Sequence, residues 1–295
     1  MFSRILVATD FSEASERVIC ALGNLRLLGT REAILVHCLN IRDVGTLANR
    51  LKELIKPSIE KQRSFLESQG FQTSIEVVLG LPHIEINRIA AEKDCSLIVL
   101  GSFGYTMLGE AFLGGVANAV IHTATKPVLL LRLKTREDEG RVVCEEATCD
   151  PLEHVLFPTD FSDNAERAFA YVEKVVECGA KRVTVLHVQD ETKIGKHLAH
   201  RLEEFNATDT ARMERLKDQL ENTGATDVRI ALTYGSPTSE ILEHARENGV
   251  SFVIMGSQGR GFVREVLLGS VSHSVARLSR VPVLLVPALR GERDP

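Results

Sequence analysis

A chain of 295 residues with 44% hydrophobic and 25% charged side chains lies close to the folded globular average, which excludes a disordered chain and leaves room for two domains. A formal net charge of −5 and a pI near 6.0 supply no basic stripe, so no nucleic-acid partner is expected. No run approaches the about 18 apolar residues of a membrane helix. Met1 to Asp10 reaches an acidic residue too soon for the apolar core of a signal peptide, so a cytoplasmic protein without a membrane partner is expected.

In chain order, a first strand at about Ile5–Val7 runs into Ala8-Thr9-Asp10, and Ser12 stands as N-cap before a helical period of Ala14, Val18, Ala21, Leu22 and Leu25. Strands follow at about Ala33–His37 and Ser74–Leu79. Pro82 suits the first turn of a helix carrying Ile86, Ile89 and Ala90. A strand at about Leu97–Leu100 meets the glycines 101, 104, 114 and 115, and a last helix leads to Val128–Leu131. The charged stretch Lys134 to Glu153 has no long apolar period and reads as a linker, within which Arg141-Val-Val-Cys144 can form a short strand.

The whole order then returns. Ile5 to Ser12 recurs as Val155 to Ser162 at an offset of 150, which still holds between His37 and His187. Beyond it the offset is 155: Gly80-Leu-Pro82 matches Gly235-Ser-Pro237, and Gly101-Ser-Phe-Gly104 matches Gly256-Ser-Gln-Gly259. The second set of strands falls at about Val155–Phe157, Val183–Val188, Val228–Leu232, Phe252–Met255 and Val283–Val286. Apolar runs alternating with helical periods mark parallel sheets covered on both faces. The expected fold is therefore α/β, two tandem doubly wound domains with five parallel strands each, at 1–135 and 153–290, joined by 136–152.

Six cysteines, at 20, 38, 95, 144, 149 and 178, lack the spacings of a zinc ribbon or a disulfide scaffold and read as reduced thiols. Cys144 and Cys149 alone are close enough for a metal or redox role to be considered, and no metal site is expected.

The informative constellation is Gly256-Ser-Gln-Gly259, nine residues, then Gly269-Ser270 opening an apolar helix. A glycine loop at the carboxyl end of a parallel strand lets backbone approach a phosphate, and the helix start offers free amides. The same 13-residue interval separates Gly101 from Gly114. Asp10 and Asp160 end the first strands, where they can accept from a base or ribose or simply cap the next helix. His37 and His187 follow their aspartates by 27 residues; a packed, hydrogen-bonded histidine is preferred over a general base. Arg260 and Arg264 either reach a phosphate or solvate a loop.

Taken together these residues resemble the universal stress protein family, once per half. Its nucleotide-binding members carry Gly-x2-Gly-x9-Gly-(Ser/Thr), which Gly256, Gly259, Gly269 and Ser270 satisfy, with Pro158-Thr159-Asp160 and His187-Val188 fitting the accompanying strand ends. The resemblance implies a fold like that of the adenine nucleotide alpha hydrolases and a bound ATP or AMP, with Mg²⁺ carried through the phosphates. Asp160 and the backbone near Thr159 and Val188 would face adenine and ribose. Met255, Gly256, Gly259, Arg260, Gly269, Ser270, Val271 and Ser272 would surround the phosphates. A weaker site is implied at Ala8, Thr9, Asp10 and Cys38 with Leu100, Gly101, Gly104, Gly114, Gly115 and Val116. There Gly115 replaces the Ser/Thr, Ala8 replaces the proline, and Tyr105 stands in the place of Arg260. The resemblance also implies that the halves pair through Val128–Leu131 and Val283–Val286, and that two chains can assemble into a homodimer.

A nucleotide-responsive binding or signalling protein follows from these residues. The alternatives are a slow ATP hydrolase using Asp160 and Mg²⁺, although the Gly-x4-Gly-Lys-(Ser/Thr) pattern is absent, and an interaction protein of the same fold that binds no nucleotide.

Overall fold

The computed structural model describes residues 1–40, 48–102, 113–132, 135–138, 141–144, 150–192, 194, 201–259 and 268–288. The chain divides into two compact units, which part at residues 149 and 150.

The first unit runs β1 (Arg4–Ala8), α1 (Glu13–Cys20), β2 (Glu32–Asn40), α2 (Ala48–Ser68), β3 (Gln72–Gly80), α3 (Pro82–Glu92), β4 (Leu97–Gly101), α4 (Gly115–Thr123) and β5 (Val128–Leu131). All its strand pairs are parallel, in the order β5-β4-β1-β2-β3, with Val7 beside both Leu35 and Val99. Such a sheet is covered on both faces, which is why Ile5, Leu6, Val7, Ile98 and Val99 are continuous apolar runs and fully or almost fully buried. After it, β6 (Thr135–Asp138) and β7 (Arg141–Cys144) form an antiparallel pair with Thr135 opposite Cys144, so the stretch expected as a linker contains a small hairpin.

The second unit repeats the design with β8 (Val155–Pro158), α5 (Asp163–Glu177), β9 (Arg182–Asp190), α6 (Leu202–Thr223), β10 (Asp227–Gly235), α7 (Pro237–Glu247), β11 (Phe252–Gly256), α8 (Ser270–Leu278) and β12 (Val283–Val286). Its parallel order is β12-β11-β8-β9-β10. On α5, Ala165, Ala168, Phe169, Val172 and Val176 turn inward as their spacing predicts, behind the N-cap Ser162 and the acidic first-turn residues Asp163 and Glu166.

One helix differs from expectation. The spacing of Ala14 to Leu25 predicts a single α-helix, but α1 ends at Cys20 and Ala21–Leu28 winds as a 3₁₀ helix. Gly23 stands where the second half has Glu173, at a propensity cost of about 1 kcal/mol. Leu22, Leu25 and Leu28 recur every third residue and all are buried, which the tighter three-residue turn accommodates.

Candidate functional site

In each unit the strand order reverses beside the first strand, between β1 and β4 and between β8 and β11. A crevice opens there beyond the carboxyl ends of the strands, the place where ligands bind in open α/β sheets. Thr159 and Asp160 leave β8 on one side of the second crevice, and Gly256 ends β11 on the other.

The Asp160 turn is tightly specified. Its Oδ1 accepts from the Ser162 amide at 3.2 Å and the Ser162 hydroxyl at 2.6 Å, and Ser162 Oγ in turn accepts from the Ala165 amide. Thr159 Oγ1 accepts from the Phe161 amide at 3.1 Å. These bonds hold Phe161 at φ 58°, a left-handed conformation that costs of order 1–3 kcal/mol for such a residue. The first half builds the same turn, with Phe11 at φ 60° and Ser12 capping α1 behind Asp10. Ser12 and Ser162 are the N-caps, and each aspartate orients its serine through Oδ1. Oδ2 of Asp160 faces Gly259, where a β-carbon would lie 2.7 Å from it.

The glycine loop is braced from behind by Asn164, a residue not singled out from the sequence. Asn164 is buried on α5; its Nδ2 donates to the Val286 carbonyl at 3.1 Å and its Oδ1 accepts from the Gln258 amide at 2.8 Å. A β-carbon at Gly256 would come within 2.8 Å of that Oδ1, so this glycine answers to Asn164. The available signal was a polar residue on an otherwise apolar helix face, where the first half has Ala14.

Gly269 and Gly114 cap α8 and α4, each donating its amide back to the serine after the strand, Ser257 at 2.7 Å and Ser102 at 2.8 Å. The first intrahelical bonds run from His273 to Gly269 and from Asn118 to Gly114. The amides of Ser270, Val271 and Ser272 therefore lie outside the helix's own ladder, at its positive end. The Ser270 side chain is exposed, and in the first half a β-carbon on Gly115 would meet no heavy atom within 4 Å.

Other expected contact residues are placed as follows. The Ser272 hydroxyl is buried and donates to the Gly256 carbonyl at 2.9 Å, which leaves only its amide for a phosphate. Met255 and Leu100 point their side chains into the core, as does Val188. Cys38, half-buried, donates to the Gly80 carbonyl, and burial pushes its thiol up to about 11, so it stays protonated. Gly104, Tyr105, Arg260 and Arg264 lie outside the described residues.

Both strand-end histidines are packed. Nδ1 of His37 lies 2.9 Å from the Thr9 carbonyl and that of His187 lies 2.7 Å from the Thr159 carbonyl, with the rings against Phe11 and Phe161. Burial holds the His37 imidazole below its ordinary range, against the opposite pull of the Thr9 carbonyl and Asp10. The second crevice thus offers a carboxylate on one lip and a ring of amides with a serine hydroxyl on the other. That combination suits a ligand with hydroxyl or amino donors at one end and an anion at the other.

The model of the universal stress protein family matches residues 1–132 and again residues 151–287. The universal stress protein MJ0577 of Methanocaldococcus jannaschii is 37% identical over 151 residues, 45% of this chain and 93% of that protein. A universal stress protein of Mycolicibacterium smegmatis is 28% identical over 199 residues, 67% of this chain and 64% of the relative. The crystal structure of a universal stress protein from Archaeoglobus fulgidus has a TM-score of 0.75 at 26% identity, covering 99% of this chain and 100% of that one. With the family domain matched once in each half, the chain belongs to the universal stress protein family.

Proposed function

We propose that the protein binds an adenine nucleotide, ATP or AMP, in the crevice of the second unit and acts as a nucleotide-responsive binding module in a stress response. The observation that carries this reading is the pairing, at one strand crossover point, of the Asp160 turn with the free amides and exposed hydroxyl at the start of α8.

In this reading Asp160 and the backbone around Thr159 and Val188 face the base and ribose. The loop from Gly256 to Gly259 and the amides of Ser270, Val271 and Ser272 hold the phosphates, with any Mg²⁺ carried on the phosphates themselves. The first-unit crevice keeps the same turn and helix start but lacks the hydroxyl of Ser270 and the Asn164 brace, so it binds more weakly. The domains are taken as 1–135 and 153–290, with 136–152 between them.

The test is calorimetric titration of ATP and of AMP into nucleotide-stripped protein. One tight site, removed by Asp160→Ala, or one tight and one weak site supports the reading. No heat and no rise in melting temperature with either nucleotide overturns it.

A further inference from the structure

Beneath its crevice the second unit holds a largely buried pair, Asp209 and His187, that has no counterpart among the described residues of the first unit. Asp209 on α6 reaches His187 on β9, with Oδ2 3.5 Å from Nε2, and both side chains are largely buried. The opposite ring nitrogen, Nδ1, lies 2.7 Å from the Thr159 carbonyl. Both nitrogens of His187 therefore face acceptors. A neutral imidazole has one N–H and can serve only one of them, whereas the doubly protonated ring serves both.

Asp209 also accepts from Gln189 Nε2 at 3.1 Å and lies 3.7 Å from Nη1 of Arg212, whose guanidinium sits over the Phe161 ring at 5.3 Å. Thr159 and Phe161, the two neighbours of Asp160, are both tied to this cluster. Beside it, β10 places uncharged Leu232 in register with His187. Gly70 with Gly224, Leu66 with Leu220 and buried Ile59 with buried Met213 fix the repeat register of α2 and α6. That register puts Ile55 in the place of Asp209 and Ser58 in the place of Arg212.

We propose that Asp209 and His187 form a proton-linked brace: the doubly protonated ring ties the Asp160 turn to α6 and strengthens ligand binding in the second crevice only. This rests on the nucleotide reading given above. Asp209 is a positioning residue here, acting on the ligand through His187, Thr159 and Phe161. Affinity is highest while the ring holds both protons and falls as rising pH removes one. By reciprocity, ligand binding favours the protonated ring.

The experiment pairs ATP calorimetry on the full chain and its Asp209→Asn and Asp209→Glu variants, across about pH 6 to about pH 9, with nitrogen-15 NMR of the ligand-free His187 ring. The wild type should bind about fivefold more tightly than Asp209→Asn at the acid end and converge with it at the alkaline end, while Asp209→Glu retains the pH dependence. The titration of ATP itself cancels in the ratio. Both ring nitrogens should carry protons in the wild type near neutrality and one in Asp209→Asn. A ratio independent of pH, or a singly protonated wild-type ring at the acid end, overturns the brace. Absence of ATP binding in all three proteins instead overturns the nucleotide reading, and the ring spectrum still decides the protonation.

Discussion

A β-carbon on Gly259 would lie 2.7 Å from Oδ2 of Asp160, across the crevice at which the strand order of the second unit reverses. The glycine loop and the acidic turn are thus fitted to each other before any ligand arrives. Asp160 cannot swing away freely, because Oδ1 is held by the amide and hydroxyl of Ser162.

Gly259→Ala should therefore lower stability by about 1–3 kcal/mol, the range for an overpacked contact, and weaken nucleotide binding at least tenfold. Adding Asp160→Ala should recover most of the stability but none of the binding. Denaturant unfolding of the four proteins in the cycle measures the coupling; strictly additive losses would show that the two residues do not press on each other.

Gly115→Ser should strengthen the first crevice. The position is exposed, has open space for a β-carbon, and opens α4 as Ser270 opens α8. A hydroxyl on a charged phosphate contributes about 1.5–3 kcal/mol, so affinity there should rise about tenfold or more with little change in melting temperature. Calorimetric stoichiometry moving toward two equal sites is the expected result. An unchanged isotherm would mean that something other than the missing hydroxyl limits the first crevice.

Asn164→Ala copies the first half, where Ala14 occupies this place, and deprives the Gln258 amide and Val286 carbonyl of their side-chain partner. The Val286 carbonyl keeps the Ser257 amide, so the loss falls on the half-buried Gln258 amide and costs about 1 kcal/mol. Hydrogen exchange should show the Gln258 amide opening faster and nucleotide affinity falling, while the amides of β1 and β2 keep their protection.

Stability should fall as the pH drops below about 6.5. Burial is the first cause holding His37, His154 and His244 below their ordinary range, and His154 is also enclosed by the Asn248 carbonyl and the Thr184 hydroxyl. The folded state favours neutral rings, so below the unfolded value of 6.5 the unfolded chain binds more protons and unfolding is drawn forward. Denaturant midpoints should be lower at about pH 5.5 than at neutrality, and His154→Gln should flatten part of that fall. A level profile down to that pH would contradict this assignment.

The repeat, the βαβ alternation, the caps at Ser12 and Ser162 and the glycine intervals were all legible in the sequence, because each depends on residues near one another in the chain. Helix period, turn chemistry and apolar runs are local properties, and the offsets of 150 and 155 between halves carry the fold from one to the other. What only the tertiary structure decided depends on residues far apart: Asp160 against Gly259, Asn164 against Gln258 and Val286, and Asp209 against His187. No periodicity records which atoms meet across a crevice. The packing of helices and loops onto the sheet brings them together, and low solvent access there makes each polar contact count toward the shape of the site.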